Sequence, residues 1–146
     1  AIERFQREKA DIFYRKALAI APNHFDTLNN LGALLIERGN PEAAVTILAK
    51  AINMNSHRAI AHANIGFALL AMEQFDKAKL GFDEALRLDP QSSNATQGLA
   101  DYYLEKKQYV YALEIVISSI KRNQKNAEEI LHGVMISLTW SRANEF

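Results

Sequence analysis

The side chains best suited to chemistry are two asparagines that stand in matched apolar segments. Asn30 lies within LNNLGALL, residues 28–35, and Asn64 lies within HANIGFALL, residues 62–70. A primary carboxamide both donates and accepts hydrogen bonds, which is what the backbone of a bound polypeptide requires. Each such bond contributes about 0.5–1.5 kcal/mol net, so several matched amides are needed to hold an extended chain. The alternative interpretation is that both asparagines are simply solvated.

Other reactive side chains form no catalytic or metal-binding pattern in the sequence. The four histidines are scattered along the chain: His24, His57, His62 and His132. They include no His-x₃-His pair, and the absence of Cys excludes thiolate metal sites and disulfides. Carboxylates such as Asp83 fall on outward helical faces, where pairing with Arg87 four residues later accounts for them. We therefore predict no enzymatic activity, metal ion or cofactor for this segment.

Composition narrows the class of protein and of partner. Of the 146 residues, 49% are hydrophobic, which is sufficient for one buried core. Seventeen basic and 17 acidic residues cancel, so no overall field attracts nucleic acid or an anionic membrane. No run approaches the ~18 apolar residues that a membrane-spanning helix needs. The chain begins with neither Met nor a signal segment, which indicates a part of a longer protein and leaves its compartment open.

An internal period of about 34 residues determines where these side chains lie. Asn30 and Asn64 are one period apart, as are Gly32 and Gly66. The same shift aligns small or apolar residues along the chain: Ala10, Ala44, Ala78 and Ala112; Ala17, Ala51, Ala85 and Ser119; Tyr14, Leu48, Phe82 and Val116. Agreement over about four periods identifies a repeat protein.

Each period contains two helical stripes of apolar residues. One stripe runs through residues 28–35 and the next through residues 44–51. Between them, Gly39 suits the position after a helix, Asn40 an N-cap and Pro41 the first turn of the following helix. The predicted fold class is therefore all-α, with about eight helices arranged as helix–turn–helix units.

This pattern resembles the tetratricopeptide repeat, in which an apolar residue, Leu-Gly and an aromatic precede Ala, an aromatic, Ala and Pro. The resemblance is strongest in NIGFALLAMEQFDKAKLGFDEALRLDP, residues 64–90, and covers about residues 10–124. Gly98 precedes Leu99 instead of following it, and Ser56 and Gln124 stand at the Pro position.

The resemblance implies a right-handed α-solenoid in a single domain, residues 1–146. We expect a partial repeat, its second helix only, at residues 1–24, and a terminal helix or the start of a further repeat at residues 127–146. The complete repeats expected between them are residues 25–58, 59–92 and 93–126.

In this family the first helix of each repeat lines an inner, concave wall, where a peptide or partner segment binds. The resemblance places nine of our residues on that wall as candidate contacts: Asp26, Asn29, Asn30, Ile60, Asn64, Phe67, Asn94, Gln97 and Asp101. Asn30 and Asn64 resemble the asparagine ladder along the repeat arm of the O-linked N-acetylglucosamine transferases. In those enzymes the matching asparagines contact bound polypeptide, whereas Gly98 and His132 interrupt the ladder here.

Charge on the expected wall limits the kind of ligand. The Lys, Asn and Arg clamp with which related repeats bind acidic chaperone tails is missing from these positions. Asp26, Asp101 and Glu105, with no basic wall residue opposite them, favour a ligand carrying some positive charge.

Both terminal helices carry more apolar surface than one packed face requires. The opening helix aligns with second helices, and residues 130–140, ILHGVMISLTW, align with a first helix. We expect these ends to associate with another copy of the chain, or to be covered by flanking sequence. The candidate self-association residues are Phe5, Ile12, Phe13, Leu131, Met135 and Trp140.

The predicted function is a protein–protein interaction scaffold that binds a peptide or partner segment in its concave groove, within a larger protein or assembly. Two alternatives stay open. One is a substrate-recruiting arm of a larger enzyme such as a glycosyltransferase, and the other is a self-assembling structural module. The predicted partners are a protein or peptide and a second copy of the chain, without nucleic acid, membrane insertion or cofactor.

Overall fold

The computed structural model describes residues 1–20, 22–122 and 127–144, apart from the side chains of Arg7, Ala10 and Asp11. Gln124 and the side chain of Ala10 therefore lie outside the described residues. In the described part the chain forms eight α-helices and no strand, so the predicted all-α fold is confirmed. The helices are α1 (Ile2–Ile20), α2 (Phe25–Glu37), α3 (Pro41–Met54), α4 (Ala59–Ala71), α5 (Phe75–Leu88), α6 (Ser93–Glu105), α7 (Tyr109–Lys121) and α8 (Ala127–Asn144).

The turn inside each hairpin has the same backbone conformation. Gly39 follows α2 with φ of 76°, the side chain of Asn40 caps α3, and Pro41 is the first residue of that helix, as predicted. The positions one and two periods after Gly39 carry Glu73 and Lys107, with φ of 58° and 56°. A residue in the left-handed backbone conformation therefore follows each of α2, α4 and α6. Only the turn after α2 has a glycine there, which adopts this conformation without strain.

Helix contacts give the row of hairpins its curvature. Each of α2, α4 and α6 packs on the second helix that follows it, and also on the next first helix in the row. Among the described residues, the second helices α1, α3, α5 and α7 do not pack on one another. Because the first helices are the more closely spaced set, they lie on the inner side of the curve. The concave wall consequently consists of α2, α4, α6 and α8.

A large side chain from a second helix packs between the first helices of neighbouring repeats. Phe82 of α5 is completely buried. A Cβ added at Gly66 of α4 would lie 2.6 Å from Cε1 of its ring, and one added at Gly98 of α6 would collide with the same ring. Leu48 of α3 is seated against Gly32 of α2 in the same way. Gly98 thus departs from the usual repeat order because the ring of Phe82 fills the space that its side chain would need.

The last helix buries fewer residues than the other first helices. α8 buries three residues: Ala127, Ile130 and Val134. The positions one period after the buried Ala95 and Tyr102 of α6 carry Glu129 and Ile136, and both of these are exposed. Ile130 and Val134, however, stand one period after the buried Thr96 and Ala100, so α8 keeps the phase of the repeats. Its remaining positions are exposed because no helix follows α8 in the described part of the chain. No helix in the described ranges has the length and apolar content needed to cross a bilayer.

Replacing Gly66 or Gly98 with Ala should lower the free energy of unfolding by about 1–3 kcal/mol, because the new methyl group overpacks against Phe82. Gly133→Ala is the matched control, since nothing lies within 4 Å of a Cβ added there. In the interior of α8 that change should raise the free energy of unfolding by about 0.5–1 kcal/mol. Urea denaturation followed by circular dichroism measures all three variants. Stabilisation by Gly66→Ala or Gly98→Ala would contradict the packing described for Phe82.

Candidate functional site

The nine candidate contact residues all belong to the helices of the concave wall. Asn29 is buried, with 5% of its surface exposed. The other eight keep solvent-accessible surface: Asp26, Asn30, Ile60, Asn64, Phe67, Asn94, Gln97 and Asp101. Contact of these residues with a ligand stays a prediction.

One of the two equivalent asparagines is already engaged within the protein. Nδ2 of Asn64 on α4 donates to Oδ1 of Asn29 on α2 over 3.0 Å. Asn64 thereby keeps its carbonyl oxygen and one N–H for a ligand. The side chain of Asn30 is exposed and makes no hydrogen bond with any residue that the structure describes. Asn30 and Asn64 therefore differ in the hydrogen-bonding groups that they offer to a ligand. The repeat period alone did not indicate this difference, because Asn29 and Asn64 are 35 residues apart, one residue more than the period.

Arg58 is a basic residue of the wall that sequence reasoning missed. Its Nη2 donates to Oδ1 of Asp26 over 3.3 Å, and its guanidinium lies 4.5 Å from the ring centroid of Phe25. The expectation that no basic side chain faces Asp26 is wrong. Both partners are well exposed, so the pair contributes at most about 1 kcal/mol. Its main effect is to remove Asp26 from the negative charge available to a ligand.

A depression opens in the concave wall across three successive first helices. It has a volume of about 430 Å³. We call it the central depression, and its lining residues are Ile36, Phe67, Leu70, Ala71, Glu73, Phe75 and Glu105. The ring of Phe67 meets the buried ring of Phe82 edge-on, with centroids 5.0 Å apart. The apolar floor of the depression is therefore supported directly by the side chain that locks the repeats together.

A second depression lies between the end of α6, the turn that follows it and the last turns of α8. Its volume is about 820 Å³. We call it the terminal depression, and its lining residues are Leu104, Glu105, Lys107, Tyr109, Ile136, Ser137, Trp140, Ser141 and Asn144. Trp140, a candidate residue for self-association, also lines this depression. Glu105 lines both depressions.

Asp101 is a half-buried carboxyl group one turn before Glu105. Nε2 of Gln97 donates to its Oδ1 over 3.0 Å, and no cation in the described part of the chain pairs with it. Burial raises the pKa of the Asp101 carboxyl above its ordinary value of 3.8; the hydrogen bond from Gln97 opposes this rise and the charge of Glu105 adds to it. The site holds a carboxylate that lacks an opposite charge.

Charged side chains on α5 are paired along their own helix. Nζ of Lys79 donates to Asp83 over 2.7 Å, and Arg87 donates to both carboxylate oxygens of Glu84 over 2.8 and 2.6 Å. The expected pair between Asp83 and Arg87 is therefore wrong, because each has a different neighbour. In residues 1–20, 22–122 and 127–144, no group of three or more His, Cys, Asp or Glu could hold a metal ion.

Asp101→Asn tests the cost of that unpaired charge. The folded protein holds the Asp101 proton at a pH where the unfolded chain has released it, so stability falls as pH rises above about 3.8. The Asn variant can still accept the bond from Gln97 and removes this fall. We expect it to be more stable than the parent at pH 7, with a stability that falls less as the pH rises above about 3.8, as measured by thermal unfolding. Lower stability of the variant at pH 7 would contradict this assignment.

Known proteins with similar sequences belong to a family of helical repeats. Models of the tetratricopeptide repeat match residues 13–46 and 69–131, together more than half of the chain. Type IV pilus assembly protein PilF of Pseudomonas aeruginosa is 29% identical over 130 residues, covering 88% of this chain and 52% of that protein. The chain thus spans about half the length of PilF.

Two solved structures show a similar arrangement of helices. A mutant of the Thermobaculum terrenum O-GlcNAc transferase matches with a TM-score of 0.65 and 28% identity, over 72% of this chain and 21% of that one. The second repeat domain of human RPAP3, in complex with the HSP70 peptide SGPTIEEVD, matches with a TM-score of 0.62 and 21% identity. That match covers 69% of this chain and 84% of the RPAP3 chain, and at this identity it supports the fold alone.

Proposed function

The chain belongs to the tetratricopeptide repeat family, a class of protein-interaction scaffold, and we propose that its concave wall binds an extended segment of a partner protein. The observation that carries the proposal is the central depression, to which three successive first helices contribute side chains. A concavity with an apolar floor and a few polar groups at its rim is the usual form of a ligand site.

The floor of the depression would supply most of the binding energy. Ile36, Phe67 and Leu70 present apolar surface, and burying one ligand side chain of Leu size there is worth about 1.5–3 kcal/mol. Asn30, whose side-chain amide has no partner among the described residues, would hydrogen-bond the ligand backbone, and Asn64 would do so through the groups that Asn29 leaves free. Asn94 and Gln97 would extend the polar contacts toward α6.

Partner capture by a variant of Phe67 tests this role. Phe67→Ala should weaken binding of the captured partner by about tenfold or more, because the floor of the depression loses its ring. Leu80→Ala is the control, since Leu80 is 69% exposed on α5 and lies outside both depressions. Quantitative pull-down with mass spectrometry, followed by titration of the purified partner, gives both values. Equal losses for the two variants, or no loss for Phe67→Ala, would contradict the proposal.

The amide contribution is measured best at Asn30. Asn30→Ala should weaken binding roughly two- to tenfold, which corresponds to one lost hydrogen bond. Asn64→Ala is less informative because it also breaks the bond to Asn29. If titration finds the affinity of Asn30→Ala unchanged, the solvated interpretation of this residue is correct.

A second candidate function is a substrate-recruiting arm of a larger enzyme. The similarity to the O-GlcNAc transferase, at 28% identity over 72% of this chain, favours it. In that case the bound segment would be an enzyme substrate, and the same wall would hold it. The similarity to PilF supports a scaffold within a larger assembly instead. The reading frame on both sides of these residues distinguishes the two, because only the enzyme arm would adjoin a catalytic domain.

Self-association through the terminal helices is a separate proposal. Its six candidate residues, Phe5, Ile12, Phe13, Leu131, Met135 and Trp140, are all exposed, with Phe13 at 69% and Trp140 at 72%. Large apolar side chains exposed in this number support a contact with another protein surface.

Light scattering over a concentration series tests self-association. We expect the mass to rise with concentration, and Phe5→Ser with Phe13→Ser to lower it at each concentration. Val110→Ser is the control, since Val110 is 68% exposed on α7. A monomeric mass at the highest concentration would exclude self-association of this segment.

A further inference from the structure

The two depressions of the concave wall have one residue in common. Glu105, at the end of α6, closes one side of the central depression and also lines the terminal depression. On one side of it lie Phe67 and Leu70, and on the other lie Ile136 and Trp140. The wall therefore presents two apolar surfaces with a carboxylate between them.

The separation of these surfaces suits a short length of extended chain. Packed helices lie about 8–10 Å apart. The central depression is centred on α4 and the terminal depression on the gap between α6 and α8, so their centres are about one and a half helix spacings, or roughly 12–15 Å, apart. An extended polypeptide advances about 3.3 Å per residue, so about four residues connect the two centres. Side chains two and four residues apart in such a segment point to the same side.

The charge between the two surfaces is negative. Asp101 lies one turn before Glu105, is half-buried and has no cationic partner in the described part of the chain. Glu73 adds a further carboxylate at the rim of the central depression. Arg58, at the start of α4, lies at the opposite end of the wall and is paired with Asp26, whereas Nζ of Lys106 lies 3.8 Å from Oδ1 of Asp76. Lys107 lines the terminal depression beyond Glu105.

We propose that the concave wall selects an extended segment of a partner protein in which a Lys or Arg stands between two large apolar residues, at positions i, i+2 and i+4. This inference rests on the proposed function and adds the chemistry of the partner to it. The first apolar side chain occupies the central depression, the basic side chain meets Asp101 and Glu105, and the second apolar side chain packs against Trp140 and Ile136. A bound cation supplies the charge that the Asp101 carboxylate lacks.

Selection from a displayed library of random dodecapeptides tests this pattern against the purified chain. Wild type should enrich peptides with Lys or Arg at the centre of an apolar–x–basic–x–apolar pattern. The double variant Asp101→Asn with Glu105→Gln should lose the basic preference and bind the selected peptides about five- to tenfold more weakly. Trp140→Ala should keep the basic preference and lose one apolar position. The controls are Glu114→Gln, an exposed carboxylate on α7, and Leu80→Ala on α5, and neither should change the selection.

Each outcome bears on a different proposal. If peptides are enriched through Phe67 but show no preference for a basic residue, the inference is wrong and the proposed function stays in place. A preference for acidic residues would have the same consequence. Peptides that bind equally to wild type, Phe67→Ala and the double variant contradict both. The absence of any enriched peptide also contradicts both, because a wall built for extended segments should retain some member of the library. Melting temperatures of the variants at or above that of wild type establish that the losses come from the site and not from unfolding.

Discussion

Insertion of one large side chain between two small residues is the interaction on which the rest of this structure depends. Phe82 reaches from α5 into the space left by Gly66 and Gly98, and thereby sets the distance between two consecutive first helices. Close approach of the first helices turns them toward a common inner face, while the second helices diverge. Without the close approach of α4 and α6, the central depression would not extend over three first helices.

The same packing connects the core to the candidate site. The ring of Phe67 rests edge-on against Phe82, so the apolar floor of the groove is the outer surface of the core. A ligand bound there would contact side chains that are already fixed, which reduces the entropy lost on binding. The carboxylates at positions 101 and 105 stand on the same rigid helix. The wall is a preformed surface, and its selectivity depends on which side chains each repeat places on it.

The fold could be predicted because local signals mark the ends of the helices in one repeat and the period extends them to the others. Gly39, Asn40 and Pro41 mark a helix end, a cap and a helix start, and the repeat period carries the same hairpin to positions that lack these signals. The pairs between repeats could not be predicted in this way. Asn29 with Asn64 and Asp26 with Arg58 are 35 and 32 residues apart, out of phase with the repeat.

The claim that the concave wall is the binding surface is tested most directly by a map of backbone amide chemical shifts. The protein would be compared free and saturated with a library-selected peptide. We expect the largest changes in α4 and α6 around Phe67, Leu70 and Glu105, with the outer surfaces of α3 and α5 unchanged. Changes confined to the second helices, with those three residues unaffected, would contradict the claim.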